Sequence, residues 1–402
     1  LIQADLEACP LAARAPRLIP ALRRPAKTIS QEARTGGRVE AGIAARVDRG
    51  PRRPRPTGIG ARAPRLDVKV ITSPGPRATL QAGIIVAPIV AAFATSAALA
   101  WYLSTALPKV GRTVPDVMKG NRPVAHPGGP AIFAGMAVGL LALWAITHDP
   151  RLLSTFAVIS ITFAVGIVDD FRVLPGPVKV LGTLAAALPI ILLRAYQPSL
   201  SLPFVYLGRL TIIYPILVLV GVPVAANAVN MIDVVNGVVS GAAAMVAATL
   251  TAFEAMVGNY AGAEVAALVA AASLGFWLLH RYPSRILPGD SGSLLLGAAI
   301  AALAISYKAE VVATIALLPE ALNGFFILSS VRSLAEHRKM RARPTIVVGD
   351  AVVANTDPAA PMTLTRLLSS RGPLKEKEVG RGILALQAFS CALALLTGLM
   401  ML

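Results

Sequence analysis

The sequence predicts an all-α polytopic membrane protein of about ten transmembrane helices, with short β-hairpins in two loops. Three observations carry that expectation. Of 402 residues, 55% are hydrophobic and 15% charged, against about 25% charged in an average soluble domain. The mean hydropathy is +0.67. From Ala82 onward, apolar runs recur at the length of about 20 residues that a bilayer asks of a helix.

In chain order, residues 1–77 come first, as a basic Pro- and Arg-rich extension without sustained periodicity, expected to be disordered. They hold 16 of the 38 Lys/Arg and 6 of the 21 Asp/Glu, so they contribute most of the formal charge of +17. Such an arm could dock on anionic lipid or nucleic acid. The reading adopted is an over-extended start or a cleaved leader, with no nucleic-acid partner. The first Met is Met118, already past the first apolar run, and no compact apolar segment of secretory type precedes residue 80.

The membrane part, residues 78–402, is read as spans at 82–107, 130–148, 151–168, 178–194, 210–229, 237–257, 262–280, 292–306, 309–331 and 382–402. These sort the loops into two sets. Loops 108–128, 169–179, 281–290 and 332–381 hold 18 Lys/Arg, whereas the opposite set holds Arg151, Arg194, Arg209 and Lys308. The positive-inside rule places the first set in the cytoplasm and both termini outside. A basic arm outside conflicts with that rule, a second reason to set residues 1–77 apart. Glu254, Glu264, Glu310 and Glu320 fall toward the other face and are read as interfacial. β-rich arms around Leu207-Gly208 and around Gly349-Asp350 predict two small hairpins, over 201–214 and 345–353. Cys9 and Cys391 suggest no disulfide framework, and four scattered histidines suggest no His-based metal site.

The basic-side loops also collect the acids and amides. Asp169 and Asp170 stand side by side after the apolar run Phe156–Val168, where a like charge and an apolar flank both make ionisation costly. VDDFRVLPGPVK adds Lys179. NAVNMIDVVNG supplies Asn227, Asn230, Asp233 and Asn236. RYPSRILPGDSGS supplies Arg285, Asp290 and Ser291. AEHRKMRARP supplies His337, Arg338, Arg341 and Arg343, and PDVMKGNRP supplies Asp116, Lys119 and Arg122. Hard oxygen donors suit Mg²⁺ or Mn²⁺, and Arg and Lys complement phosphate. Acids for a metal, bases for phosphate and a membrane face together imply phosphoryl transfer between a soluble and a lipid substrate. Each segment alone has a plainer reading: a solvated loop start, a helix cap, a tight turn, a topology anchor. The rival class is a secondary transporter, but transporters place ionisable sites near the midplane, and these acids sit at span ends.

In order and spacing, these motifs resemble the polyprenyl-phosphate N-acetylhexosamine-1-phosphate transferases (glycosyltransferase family 4), from about residue 80 to the C-terminus. Within that family the chain looks closest to the dolichyl-phosphate branch of eukaryotes and archaea. Asn236, YPSRILPGD and MTLTRLLSSRGPLKEKEV resemble that branch. The resemblance implies transfer of GlcNAc-1-phosphate from UDP-GlcNAc to dolichyl phosphate or another polyprenyl phosphate, giving the lipid-diphosphate sugar and UMP. The alternative within the family is a bacterial-type enzyme on undecaprenyl phosphate with another UDP-sugar. Mg²⁺, or Mn²⁺ in its place, is the implied cofactor, held by Asn230 and Asp290. Lys179 would contact phosphate, and Asn236 the uracil or ribose. Asp169 and Asp170 would line the site, Asp169 in an acid/base or lipid-phosphate role. Lys119, Asn227 and Asp233 would belong to the substrate-binding loops. Arg341 with Arg343, or instead His337 with Arg338, would grip the diphosphate. A homodimer is among the assemblies open to it. Three departures stand out: Val173 replaces a third Asp common in bacterial members, Leu287 replaces an aromatic near the uracil, and Gly-Asp-Ser-Gly-Ser is closer to prokaryotic members.

Overall fold

The computed structural model describes residues 76–116, 121–331 and 342–402, with side chains from residue 86 on except at 206, 207 and 331. The extension up to residue 75, Lys119, His337, Arg338 and Arg341 lie outside the described residues. The helices are α1 (Pro76–Lys109), α2 (Gly129–Thr147), α3 (Pro150–Phe171), α4 (Gly176–Ala185), α5 (Leu188–Leu192), α6 (Ile213–Met231), α7 (Val238–Met256), α8 (Tyr260–His280), α9 (Gly289–Tyr307), α10 (Glu310–Ala316), α11 (Leu318–Val331), α12 (Leu364–Leu368) and α13 (Glu376–Leu399). Among the described residues, α1, α2, α3, α6, α7, α8, α9 and α13 are long and apolar enough to cross a membrane. The protein is therefore a multi-pass membrane protein.

The remaining two expected spans are broken. Residues 176–192 form α4 and α5, interrupted at Ala186-Ala187. The span expected at 309–331 is α10 and α11, bent by 64°. The bend has a local cause. Pro319 has no N–H to give the carbonyl one turn back, and free backbone groups in an apolar interior need partners. α13 supplies them: Ser390 Oγ donates to Ile315 O at 2.6 Å and Gln387 Nε2 to Ala316 O at 2.7 Å. Glu320 and Glu254 are fully buried, at 1% and 0% exposure, not interfacial as expected.

α9 is the centre of the molecule. Every residue from Ser291 to Tyr307 is buried, as suits a helix that is small and apolar on all sides. It packs on α3, α6, α2, α7 and α8. A Cβ at Gly166 would come within 2.5 Å of Ser291 Cα, so only glycine lets α3 cross α9 this closely.

Among the described residues there are three β-hairpins. β1 (Thr113–Asp116) with β2 (Arg122–Ala125) was not expected. β3 (Ser199–Leu202) and β4 (Val205–Arg209) turn at Pro203-Phe204, not at Leu207-Gly208, which lie within β4. β5 (Thr345–Val348) and β6 (Ala351–Ala354) turn at Gly349-Asp350 as expected, and β7 (Leu374–Lys375) adds a third strand.

Candidate active site

The ends of α3, α6 and α9 and the start of α4 converge on one side of the bundle. Three of these helices run beyond the windows expected from hydropathy. α3 carries Asp169 and Asp170, α6 carries Asn227 and Asn230, and α9 begins at Gly289 and so includes Asp290. Hydropathy falls at each polar residue, but the helix continues because the polar groups bind one another.

Lys179 is the hub. Its Nζ lies 2.7 Å from Asp169 Oδ2 and 2.8 Å from Asp290 Oδ2. Asn230 Nδ2 donates to Asp290 Oδ1 at 2.6 Å and to Ser293 Oγ at 2.7 Å. Asp169 Oδ1 also accepts the Leu174 N–H at 2.6 Å, which fixes the turn into α4. Thus residues 60 to 121 positions apart form one network.

Asp170, one residue on, turns to a different task. Its carboxylate accepts the N–H groups of Asp290 at 2.8 Å and Ser291 at 3.0 Å, holding the orphan donors and positive dipole end of α9. Gly289 makes room for it: φ is +70°, and a Cβ there would lie 2.6 Å from Asp170 Oδ1. His126 Nε2 is 3.5 Å from the same oxygen. Burial holds the His126 pKa below its ordinary value, against the pull of Asp290, so this contact is to a neutral imidazole near pH 7.

A second cluster adjoins the first. Asn236 Nδ2 donates to Asp116 Oδ2 at 3.0 Å, and its backbone N–H donates to Glu376 Oε1 at 3.1 Å. Gly237 donates to His280 Nε2 at 3.4 Å, and Ser240 pairs with His280 Nδ1 at 2.8 Å. Asp233 lies in the same turn, where burial, with the Asp290 and Asp170 carboxylates behind it, holds its carboxyl well above the usual range. Asn227 donates to Pro223 O and Thr183 Oγ1, stitching α6 to α4. Arg343 is exposed at the start of the 345–354 hairpin.

Sequence reasoning did not assign His126, Ser293, His280, Asn323 or Glu376 to the site, and it named Asp116 in the first loop without giving it a role. Asn323 on α11 donates to Met231 O at 2.9 Å, next to Asn230, and accepts from Leu364 N–H at 2.9 Å. His126-Pro127-Gly128-Gly129, between a strand and a helix, was the available signal: Gly128 and Gly129 donate to Leu287 O and Pro288 O at 2.7 and 2.8 Å.

Among the described residues, no three His, Cys, Asp or Glu side chains are grouped to hold a metal. The donor set nonetheless fits Mg²⁺, which takes one or two carboxylates and completes its shell with water and substrate phosphate. Asp169 and Asp290 face each other across Lys179, and Asn230, with its amide N–H groups committed, has its carbonyl oxygen left to offer.

A known family matches this sequence. Residues 152–308, which span α3 to α9, match the model of glycosyl transferase family 4. The phospho-N-acetylmuramoyl-pentapeptide-transferase of Chlorobium phaeobacteroides is 30% identical over 257 residues, 55% of this chain and 67% of that protein. That of Chlorobaculum parvum is 28% identical over 278 residues, 61% and 74%. The probable undecaprenyl-phosphate N-acetylglucosaminyl 1-phosphate transferase of Bacillus subtilis is 31% identical over 182 residues, 44% and 50%. The spans make it a multi-pass membrane protein, and these matches make it a transferase. The chain belongs to the polyprenyl-phosphate sugar-1-phosphate transferases of glycosyl transferase family 4.

Proposed function

We propose that this enzyme transfers an N-acetylhexosamine-1-phosphate unit from a UDP-sugar to undecaprenyl phosphate at the cytoplasmic face, releasing UMP. The observation that carries the reading is the Lys179 hub between Asp169 and Asp290, next to the Asn236–Asp116 pair. The bacterial form now stands ahead of the dolichyl form expected from YPSRILPGD. The relatives above are bacterial, and their names carry a muramoyl-pentapeptide or an undecaprenyl phosphate. The Gly-Asp-Ser-Gly-Ser stretch agrees with them.

In this reading a lipid-phosphate oxygen attacks the sugar-linked β-phosphorus, and the bond to the bridging oxygen of UMP breaks. Lys179 binds phosphate and offsets its charge. Asp169 takes a proton from the lipid phosphate or orients it. Asp170 is a positioning residue that fixes Asp290 through the α9 backbone. Asn230 and Asp290 would hold Mg²⁺, which supplies charge neutralisation on the diphosphate. Asn236 and Asp116 present a donor and an acceptor to the uracil, with Glu376 holding the Asn236 backbone. Arg343, with Arg341 or the His337-Arg338 pair, would close on the diphosphate, and Lys119 would approach from the first loop. The cytoplasmic orientation rests on the 18 Lys/Arg of the loops on this side.

Purified enzyme in nanodiscs should release UMP with Mg²⁺, undecaprenyl phosphate and one of a panel of UDP-N-acetylhexosamines. Absence of UMP across the panel would sink the proposal. Turnover with dolichyl phosphate alone would restore the dolichyl reading.

A further inference from the structure

A cavity of about 420 Å³ lies between the end of α1, strand β2 and the loop before α9, lined by Trp101, Ser104, Arg122, Val124 and Arg285 among others. None of Asp169, Lys179, Asn230 and Asp290 lines it. We infer that this cavity binds the headgroup of an anionic phospholipid, with Arg122 and Arg285 on the phosphate and Trp101 beside the glycerol.

Charge is the first support. The lining holds two arginines and no acid. Three other described arginines of this side are engaged elsewhere: Arg112 lies over the Phe171 ring at 4.7 Å, Arg281 over Trp277 at 5.8 Å, and Arg366 donates to Asp357 O and Ala360 O. Guanidinium forks suit a phosphate diester.

Position is the second support. Trp101 is 60% exposed and Tyr102 58%, about two turns before α1 ends at Lys109. Exposed Trp and Tyr near the end of a span mark the headgroup level of a bilayer. Val86 and Val90, further along the same helix, are 52% and 56% exposed and give the acyl chains an apolar wall. A free phosphate would need the arginines but neither the indole nor the wall. The volume falls within the range of ligand sites, about 300–1,000 Å³.

The site also adjoins the catalytic framework. Ala125, on its lining, bridges to Ile286 and accepts the Leu287 N–H at 2.9 Å. His126 follows the first, and Asp290 lies three residues after Leu287. A bound headgroup would brace the pairing that carries both.

The test uses the full chain in nanodiscs of phosphatidylcholine with increasing phosphatidylglycerol, with retained lipid counted by native mass spectrometry. R122Q/R285Q should weaken phosphatidylglycerol retention about 30-fold, from roughly 1 kcal/mol per arginine at a membrane surface. R122K/R285K should restore most of it. The single variants R122Q and R285Q, each weaker about fivefold, keep the test open should the double variant fold poorly. Equal retention by wild type and variants overturns the site. So does displacement by millimolar inorganic phosphate, which would make it a free-phosphate site. Arginine-dependent retention of undecaprenyl phosphate but not of phosphatidylglycerol would assign the cavity to the substrate and overturn the proposal. UMP release is a separate readout, so failure here leaves the proposed reaction standing.

Discussion

The two ends of α3 carry charge in opposite ways. At its start, Asp149 caps the helix, accepting the Arg151 N–H at 2.9 Å, and pairs with the Arg151 guanidinium at 2.8 Å. That guanidinium stacks on Tyr307 at 4.3 Å, and the Tyr307 hydroxyl returns to Asp149 at 3.2 Å. One acid meets one base, and the groups satisfy each other. At its end, Asp169 and Asp290 share the one cation Lys179, while Asp170 has only the α9 N–H groups and the neutral His126 beside it. A surplus of carboxylates in a partly buried site is expensive, and a divalent cation would offset it. Charge balance, more than the number of charged residues, separates the closed end from the open one.

The sharpest way to break this comparison is at Asp290. Asp290→Ala should lower kcat about 10³-fold while the protein still elutes as a folded membrane protein. Because it removes surplus charge, its melting temperature should not fall below that of a variant at the closed end. Lys179→Met should cost about 10²-fold in activity and also destabilise, since it leaves the carboxylates without their shared cation. A Lys179→Met protein as stable as wild type would mean the surplus is not felt. Asn236→Ala should raise KM for the UDP-sugar about tenfold to a hundredfold with little change in kcat, the cost of one lost base contact of 1–3 kcal/mol. A fall in kcat at unchanged KM would move Asn236 from recognition to chemistry.

These contrasts were unevenly legible in the sequence. The membrane class could be read, and Asp169, Lys179, Asn230 and Asp290 could be picked out as candidates, because each stands out against an apolar chain. Their arrangement could not. That Asp170 serves the α9 backbone and Asp169 serves Lys179 follows from the turn of about 100° between neighbours on a helix and from where α9 lies. Helix ends were placed short for the same reason, since a hydropathy window treats a polar residue as an exit, while Asn230 remains inside by binding Asp290 and Ser293. The β1–β2 hairpin left little trace: Thr113–Asp116 and Arg122–Ala125 are four-residue strands with a proline in each. The break at Leu317 was signalled by Pro319, yet the partners that make it tolerable, Gln387 and Ser390, lie some 70 residues away.

The smallest expected effect sharpens the comparison from the closed end. Asp149→Asn keeps a side chain able to cap α3 but removes the charge facing Arg151. Activity should stay near wild type, and stability should fall by about 1 kcal/mol. The pH dependence identifies the group. The Arg151 contacts outweigh burial and hold the Asp149 carboxyl below its ordinary value. A depressed pKa contributes stability that is fully present above the unfolded value, about 3.9, and is lost as pH falls through the folded one. The gap in melting temperature between wild type and Asp149→Asn should therefore be level from pH 7 to about 5 and close below about 4. A gap that closes near pH 6 would assign the effect to another group. A loss of UMP release in this variant would show that the two ends of α3 are coupled, and that the closed end is not merely structural.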